Sequence, residues 1–154
     1  MTQYSCSVSV PYTAEQMQTL VADVKSYPAF ISWIKSLTVR NELADDTSWK
    51  GRAQATVGFK GFSERFTTDV SSDKLSHEIN VHLVSGPFRH LENQWKFEST
   101  DEGCEIRFFI DFEFSNFILK MLLKANFERA VRILISIFTD EAHRRYGKNL
   151  QSGA

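Results

Sequence analysis

About eighty consecutive residues of this chain alternate between apolar and polar side chains, and this feature limits its fold more than any other. The alternation begins at Leu37 and continues to about residue 116. A period of two is typical of β-strands with one buried face. Turn-forming residues divide the run at 45–46, 58–61, 71–73, 85–87 and 101–103. Six successive strands joined by short turns predict an antiparallel meander.

The segments before and after this run predict one more strand and three helical segments. Residues 4–10 alternate as a strand, and a capping-box spacing of Thr13 and Gln16 starts an amphipathic helix over about 14–24. Ser26-Tyr27-Pro28 is expected to break that helix, and 29–34 forms a second helical turn.

The last segment predicts one long helix. From Phe117 to about Tyr146 the chain has no proline or glycine, and its apolar residues recur every three or four positions. Asn116 is a candidate cap for the start of the helix, and Gly147 is a typical stop signal. The stripe predicted to face the sheet is Leu119, Leu123, Phe127, Ala130, Leu134 and Phe138.

These elements predict an α+β fold of the order β-α-α-β6-α. A curved, seven-stranded antiparallel sheet is expected to wrap around the long C-terminal helix. With 154 residues, of which 42% are hydrophobic, the chain is expected to form a single domain over 1–154. Its core spans about 3–147, and 148–154 form a short tail.

The inner face of the predicted sheet could enclose an apolar cavity. Gly51, Ala53 and Ala55 share this face and are small, so the space between sheet and helix is either hollow or filled by neighbouring Phe and Trp side chains. Asn93 is the plainest polar residue on the same face. Its amide must bond either the backbone or a polar atom of a ligand.

Composition and motifs exclude several classes of function. The formal net charge is −1, no stretch is apolar enough to span a membrane, and no catalytic or nucleotide-binding motif is present. Because these motifs are missing, we expect no catalytic residue. The four histidines lack the spacing of metal ligands, so we expect no metal site either. Asp111 and Glu113 share the outer face and are expected to be solvated or to form salt bridges.

The start of the chain and its cysteines predict a cytoplasmic protein. No basic segment followed by an apolar core, typical of a secretory signal, is found there. Cys6 and Cys104 have neither a metal-binding nor a redox-motif spacing, so both are expected to be reduced thiols.

The C-terminal segment is the basic part of the chain. Residues 117–154 carry seven basic and three acidic groups. Apolar side chains outside the predicted stripe either widen the core or form a surface for an anionic membrane or a partner. The residues proposed for that surface are Lys120, Met121, Lys124, Arg129 and Arg132.

Three stretches of sequence resemble one branch of a known superfamily. They are residues 24–33 (VKSYPAFISW), 85–97 (SGPFRHLENQWKF) and 110–116 (IDFEFSN). The order of elements resembles the helix-grip fold of the START-like superfamily of polyketide cyclases, dehydrases and lipid-transport proteins. The stretches resemble its coenzyme Q-binding and ribosome association toxin branch. The resemblance covers residues 3 to about 146.

The resemblance implies a non-enzymatic protein that holds an isoprenoid quinone, ubiquinone, and supports its delivery or use in respiration. The polar ring is expected near Trp33, Phe88 and Asn93, and the isoprenoid tail between sheet and helix. The candidate ligand-binding residues are Tyr27, Pro28, Phe30, Trp33, Pro87, Phe88, Leu91, Asn93, Trp95, Phe108, Ile110, Phe112, Phe127 and Leu134. No cofactor other than this ligand is implied, and peripheral contact with the inner membrane is expected. Within this branch the start of the chain resembles a bacterial member more than an imported mitochondrial one.

The same branch leaves a second function open, and the wider superfamily a third. A ribosome association toxin would bind the large ribosomal subunit and block subunit joining. That contact needs basic side chains, for which Arg129, Arg132, Arg144, Arg145 and Lys148 are available. A polyketide cyclase or aromatase would need polar groups in the cavity, whereas the inward positions are nearly all apolar. We expect no DNA partner.

Overall fold

A computed structural model describes residues 2–59, 61–115, 117, 120–121 and 127–152 of the chain. Its elements are a strand, two helices separated by a 3₁₀ turn, six strands and a long helix. They are β1 (Thr2–Val10), α1 (Ala14–Ala22), the 3₁₀ turn (Val24–Ser26), α2 (Tyr27–Phe30), β2 (Ile34–Ala44), β3 (Ser48–Phe59), β4 (Phe62–Asp73), β5 (Glu78–Ser85), β6 (Phe88–Thr100), β7 (Gly103–Phe114) and α3 (Phe127–Ser152).

The strands form one antiparallel sheet of seven strands in the order β1-β7-β6-β5-β4-β3-β2. This is the predicted meander, closed by the first strand, which pairs with the last one. The sheet is curved and, with the C-terminal helix, forms the predicted helix-grip fold. One turn differs from the prediction: 71–73 belong to β4, and the turn lies at 74–77, where His77 has a φ of 58°.

Helix α1 begins as the sequence predicts. The Thr13 hydroxyl accepts a hydrogen bond from the Gln16 backbone N–H at 3.0 Å, and the Gln16 side chain accepts one from the Thr13 N–H at 3.0 Å. These two bonds complete a capping box and satisfy N–H groups that the first turn leaves unpaired. The helix then buries Met17, Leu20 and Val21 against the sheet.

The predicted break between the two short helices is present, but it lies earlier than residues 26–28. Helix α1 ends at Ala22, and α2 begins at Tyr27, ahead of the predicted range 29–34, and ends at Phe30, so that it includes Pro28. Proline is tolerated there because the first turn of a helix does not use its backbone N–H groups. Strand β2 correspondingly begins at Ile34, three residues before the predicted start of the alternation.

The C-terminal helix passes through the predicted stop at Gly147 and ends at Ser152. Gly147 is buried, and a Cβ atom there would lie 3.1 Å from Nδ1 of His143. The glycine therefore allows close packing inside the helix rather than ending it. Phe117, Lys120 and Met121 are helical too, whereas the predicted cap, Asn116, lies outside the described residues.

The buried stripe of α3 is displaced from the predicted one. Ala130 is exposed, while Val131, Ile135, Phe138 and Ala142 are buried against the rest of the fold. The predicted stripe included Phe138, but Leu134 is only half-buried. Leu119 and Leu123 lie outside the described residues. Helical side chains point toward the N-terminus of their helix, so periodicity alone predicts the position of the buried stripe only to within about one residue. Tertiary packing decides which residues are buried.

Candidate functional site

Aromatic side chains fill the middle of the space between sheet and helix. Phe138 of α3 contacts the rings of Trp95, Tyr27 and Phe30, with centroids 5.4, 5.3 and 5.6 Å apart. Trp95 also contacts Phe108 edge-to-face at 4.9 Å. Four candidate ligand-binding residues, Tyr27, Phe30, Trp95 and Phe108, thus pack together around Phe138. The sequence left open whether the space between sheet and helix is hollow or filled by aromatic rings, and around Phe138 it is filled.

An ionic cluster around the buried carboxylate of Glu141 holds α2 against α3. The Glu141 carboxylate, whose side chain is only 5% exposed, accepts hydrogen bonds from Arg144 at 2.6 and 2.8 Å and from Arg145 at 2.8 Å. Arg145 in turn donates to the Ser26 hydroxyl at 3.1 Å, and its guanidinium lies 5.8 Å from the centre of the Phe30 ring. This cluster positions the segment that carries Tyr27 and Phe30.

Tyr27 is part of the same packing. Its hydroxyl donates a hydrogen bond to the backbone carbonyl of Val21, and burial, with a smaller effect of Asp23, raises its pKa above the ordinary value. A buried, neutral phenol that donates to the backbone is a structural anchor. The hydrogen of the Tyr27 hydroxyl is therefore already used in a bond within the protein.

A second group of rings lies at the end of the sheet that carries the β5–β6 turn. We call it the aromatic cluster; its members are Phe66, Phe88, Phe112, Phe114 and Phe127. Phe88 stacks on Phe114 with centroids 4.9 Å apart, and Phe112 lies 4.3 Å from Phe127 at the start of α3. Phe112 is buried, but the other four are only partly buried. Hydrocarbon surface thus remains accessible there.

Sequence reasoning placed Phe88, Phe112 and Phe127 in the site but missed Phe66 and Phe114. Phe114 continues the alternation of Ile110 and Phe112 along β7, which was the available signal. Phe66 lies on β4 and contacts Phe88 with centroids 6.4 Å apart. Nothing in the sequence relates β4 to β6, because β5 separates them.

Asn93 lies on the inner face, between the core and the aromatic cluster. Its side-chain amide donates to the backbone carbonyl of Phe109 at 2.8 Å, and its oxygen accepts from the indole N–H of Trp95 at 2.8 Å. The sequence left two partners open for this amide, the backbone or a ligand, and the structure shows a hydrogen bond to the backbone. Asn93 remains partly exposed, and its amide has a second N–H that these bonds do not use.

The remaining candidate ligand-binding residues are not part of these two groups of contacting rings. Leu91 is buried on β6, and Ile110 is half-buried opposite Asn93 on β7. Pro87 accepts a backbone hydrogen bond from Ser115 at 3.0 Å, which fixes the β5–β6 turn to the end of β7. Pro28, Trp33 and Leu134 are half-buried, and the last two pack against the core.

The small residues of β3 leave less space than the sequence suggests. A Cβ atom at Gly51 would lie 2.8 Å from a methyl group of Val39 and 2.9 Å from the Trp49 ring. These two side chains therefore occupy the position that a larger residue would take. Ala53 and Ala55 are buried, and Ala55 is paired with Phe66 of the aromatic cluster across β3 and β4.

Two open grooves are lined by described residues, and both border β1. One, of about 570 Å³, lies on the outer face and is lined by Ser5, Cys6, Ser7, Gln94, Lys96, Arg107, Phe108 and Phe109. The other, of about 410 Å³, lies between β1 and α3 and is lined by Tyr4, Cys6, Ser7, Val8, Arg132, Ile135, Ser136 and Thr139. Of the candidate ligand-binding residues, Phe108 alone lines either groove.

The proposed partner surface is exposed where the structure describes it. Lys120, Arg129 and Arg132 are exposed, and Met121 is 63% exposed. Phe117, four residues before Met121 and 72% exposed, adds an aromatic ring that the sequence analysis did not include. Lys124 lies outside the described residues. In the part of the chain that the structure describes, no helix combines the length and hydrophobicity needed to cross a bilayer.

Asp111 lies on the outer face, as predicted, but it is only 9% exposed. Of the two environments expected for it, solvent or a salt bridge, the first is therefore wrong. The Oδ2 atom of Asp111 accepts from the Gln3 amide at 3.3 Å and lies 3.6 Å from Nε2 of His90. Across residues 2–59, 61–115 and 127–152, no cluster of three or more His, Cys, Asp or Glu side chains has the geometry of a metal site.

Comparison with known proteins identifies the family. A model described as polyketide cyclase/dehydrase and lipid transport matches residues 10–139 of the chain. The chain belongs to this family. Its membership agrees with the helix-grip fold and with the resemblance found in the sequence.

Relatives in this family carry two kinds of name. The ribosome association toxin RatA of Escherichia coli is 34% identical over 147 residues, which cover 95% of this chain and 90% of that protein. The mitochondrial coenzyme Q-binding protein COQ10 homolog B of Xenopus laevis is 30% identical over 151 residues, which cover 95% of this chain and 60% of that protein. Both names belong to the branch that the sequence motifs indicated.

A solved structure has a similar sequence and fold. It is the solution structure of an 18 kDa protein from Caulobacter crescentus, which is 35% identical to this chain and superposes with a TM-score of 0.78. The match covers 96% of this chain and 99% of the other. The architecture described above is therefore shared almost along its whole length.

Proposed function

We propose that this family member binds a hydrophobic isoprenoid quinone, such as ubiquinone, at the aromatic cluster and acts as its carrier in respiratory electron transport. The observation that carries the proposal is the set of partly exposed rings around Phe88, between β6, β7 and the start of α3. Covering such surface with an isoprenoid chain would gain about 25 cal/mol per Å² of apolar area removed from water. A relative named as a coenzyme Q-binding protein supports this ligand class.

The polar ring of the quinone is proposed to lie near Trp33, Phe88 and Asn93. A quinone carbonyl can accept a hydrogen bond but cannot donate one, and the unused N–H of the Asn93 amide is a matching donor. The tail would extend along Phe114 and Phe127, whose partly exposed rings pack on the buried Phe112. The function proposed is binding rather than catalysis, because the side chains of the aromatic cluster are hydrocarbon and cannot transfer a proton.

The first test is extraction of quinone from the purified protein. Mass spectrometry of an organic extract should detect ubiquinone, and added decylubiquinone should bind to protein from which the lipid has been removed. Phe88→Ala should weaken this binding by about tenfold to a hundredfold, since a phenylalanine ring contributes roughly 1.5 to 3 kcal/mol when it is covered.

Phe109→Ala is the matched control. Phe109 lies on β7, on the opposite face from Phe112, and is 37% exposed. The same substitution there should leave quinone binding unchanged. A quinone-free extract together with no binding of decylubiquinone would refute the proposal. Equal losses in the two variants would refute the assignment to the aromatic cluster.

The exposed helical surface is proposed as the site of membrane contact. Phe117 and Met121 are apolar and exposed beside Lys120, and Arg129 and Arg132 follow on α3. This combination suits the interface of an anionic bilayer. Co-flotation with vesicles that contain anionic lipid should be reduced in a Phe117→Ser, Met121→Ser variant, whereas binding of decylubiquinone in the absence of vesicles should be unchanged.

Ribosome association is the second candidate, favoured by the 34% identity to RatA. Exposed Arg129 and Arg132 could contact phosphates of ribosomal RNA. In that case the protein should co-sediment with large ribosomal subunits in a salt-dependent way, and Arg129→Glu, Arg132→Glu should abolish the association. Co-sedimentation of a protein that carries no quinone would favour this function over the first.

A further inference from the structure

Strand β1 forms one edge of the sheet, and β2 forms the other. All nine residues of β1 pair with β7 in one continuous register, from Thr2 opposite Phe112 to Val10 opposite Cys104. In the described part of the chain no strand pairs with the opposite edge of β1. That edge presents backbone N–H and C=O groups that can pair with another strand.

The two edges differ in how they are protected. Strand β2 carries Lys35, Arg40 and Glu42, its register shifts twice, and Asn41 has a φ of 57°. Charges and irregularities of this kind prevent a further strand from joining a sheet. Strand β1 (TQYSCSVSV) has no charged residue, no proline and no shift in register. Strand β2 is therefore protected against pairing with a further strand, whereas β1 is not.

The unprotected edge is also accessible. The outer groove borders β1 at Ser5 and Ser7, and the groove beside α3 borders it at Tyr4 and Val8. The Ser5 and Ser7 side chains are exposed. Open space thus adjoins both faces of the strand at its centre.

We propose that β1 pairs antiparallel with β1 of a second copy of this chain, with Cys6 on the two-fold axis. In this register Tyr4 of each copy lies opposite Val8 of the other, and Ser5 lies opposite Ser7. Aromatic rings beside β-branched side chains, and hydroxyls beside hydroxyls, are favourable cross-strand pairs. The strand is self-complementary in this register, and no like charges meet across it. The two sheets join into one of fourteen strands, which is twice the seven of one copy.

The direct test is the mass of the protein in solution, measured by light scattering over a range of micromolar concentrations. The unmodified protein should approach the mass of two chains. Two double variants then test the register. Ser5→Glu, Ser7→Glu places glutamates opposite each other twice, whereas Ser5→Lys, Ser7→Glu places a lysine opposite a glutamate twice.

The two variants are matched because both carry the Ser7→Glu substitution, across from Arg107 of the same chain, and they differ only at position 5. The first should raise the dissociation constant of the dimer on the order of tenfold or more relative to the second. Circular dichroism should show that both are folded. A mass of one chain at every concentration, or equal dissociation constants for the two variants, would overturn the proposal.

Cross-linking through Cys6 tests the same register without changing the surface of the strand. Residues directly opposite in an antiparallel pair have Cα atoms roughly 4.5 to 5.5 Å apart, within the range of a disulfide. Oxidation by diamide, which takes up two electrons and two protons, should join two chains. Cys104→Ser should retain the cross-link and Cys6→Ser should lose it. A covalent dimer that persists without Cys6, or none in the unmodified protein, contradicts the register.

Discussion

Replacing Glu141 by Gln tests the ionic cluster that positions α2 beside α3. Hydrogen bonds from Arg144, partly offset by burial and reinforced by Arg145, lower the pKa of Glu141 from 4.5 to about 2. That difference corresponds to about 3 kcal/mol of stability at neutral pH if it is fully realised. Because the Arg144 side chain is 70% exposed, solvent screening reduces the expected loss in Glu141→Gln to about 1 to 2 kcal/mol.

The sign of the pH dependence follows from the lowered pKa. The unfolded chain binds the proton of this carboxyl at higher pH than the folded chain does. The stabilisation is therefore complete above about 4.5 and is lost as the pH falls toward 2. At pH 3, under half of the difference between the unmodified protein and Glu141→Gln should remain.

Denaturation by urea at pH 7 and at pH 3 measures this difference. Glu102→Gln is the control, because Glu102 is exposed in the turn between β6 and β7 and its loss should change stability by less than about 0.5 kcal/mol. If Glu141→Gln is as stable as the unmodified protein at pH 7, the cluster is not stabilising. If the difference is equally large at pH 3, its cause is not the ionised carboxylate.

Two further substitutions examine single contacts. Asn93→Ala removes the acceptor of the Trp95 indole N–H, so it should lower the free energy of unfolding by about 1 to 2 kcal/mol in urea denaturation and shift the tryptophan fluorescence. Unchanged stability would mean that water replaces the hydrogen bond. Gly103→Ala should cost about 2 kcal/mol or more, since its φ is +154° and a Cβ would lie 2.1 Å from the Val10 carbonyl oxygen. Gly61→Ala, at a φ of +84° with nothing within 4 Å, should cost only about 1 kcal/mol, and equal losses would exclude the clash as the cause.

Alternation of side chains was sufficient to predict the sheet. Each strand from β2 to β7 was predicted from the period of two, because a half-buried strand must place its apolar residues on one face. The capping box at Thr13 and Gln16 was predicted for a similar reason, since its hydrogen bonds are made within four residues. Such features depend on local chemistry, which the sequence contains directly.

The errors occurred where a residue type is compatible with two environments. Pro28 was expected between two helices but occupies the first turn of the second one, which does not need its backbone N–H. Gly147 was expected to end a helix but is buried beside His143 of the same helix, whose ring nitrogen lies 3.1 Å from the Tyr12 hydroxyl. Asp111 alternates as an outer-face residue and is nevertheless 9% exposed, because Gln3 and His90 of neighbouring strands contact it. In the last two cases the environment depends on a neighbour that is distant in sequence.

The candidate site shows the same division between sequence and structure. The motifs around Phe88, Asn93 and Phe112 predicted the candidate ligand-binding residues, and the comparison with known proteins confirms the family. Only the structure separated Trp95 and Phe108, which pack on Phe138, from Phe88 and Phe112, whose cluster retains accessible apolar surface.

The amino-acid sequence therefore determined which residues of the strands face inward, since a period of two is a property of the chain itself, whereas the buried stripe of α3 is displaced from the one that periodicity predicts. Tertiary structure decided which of those residues fill the interior and which remain partly exposed, because that depends on how closely α3 approaches each part of the sheet. It also decided that β1 is an edge strand without charges while β2 is protected, since strand order is set by the pairing of β1 with β7, more than ninety residues away.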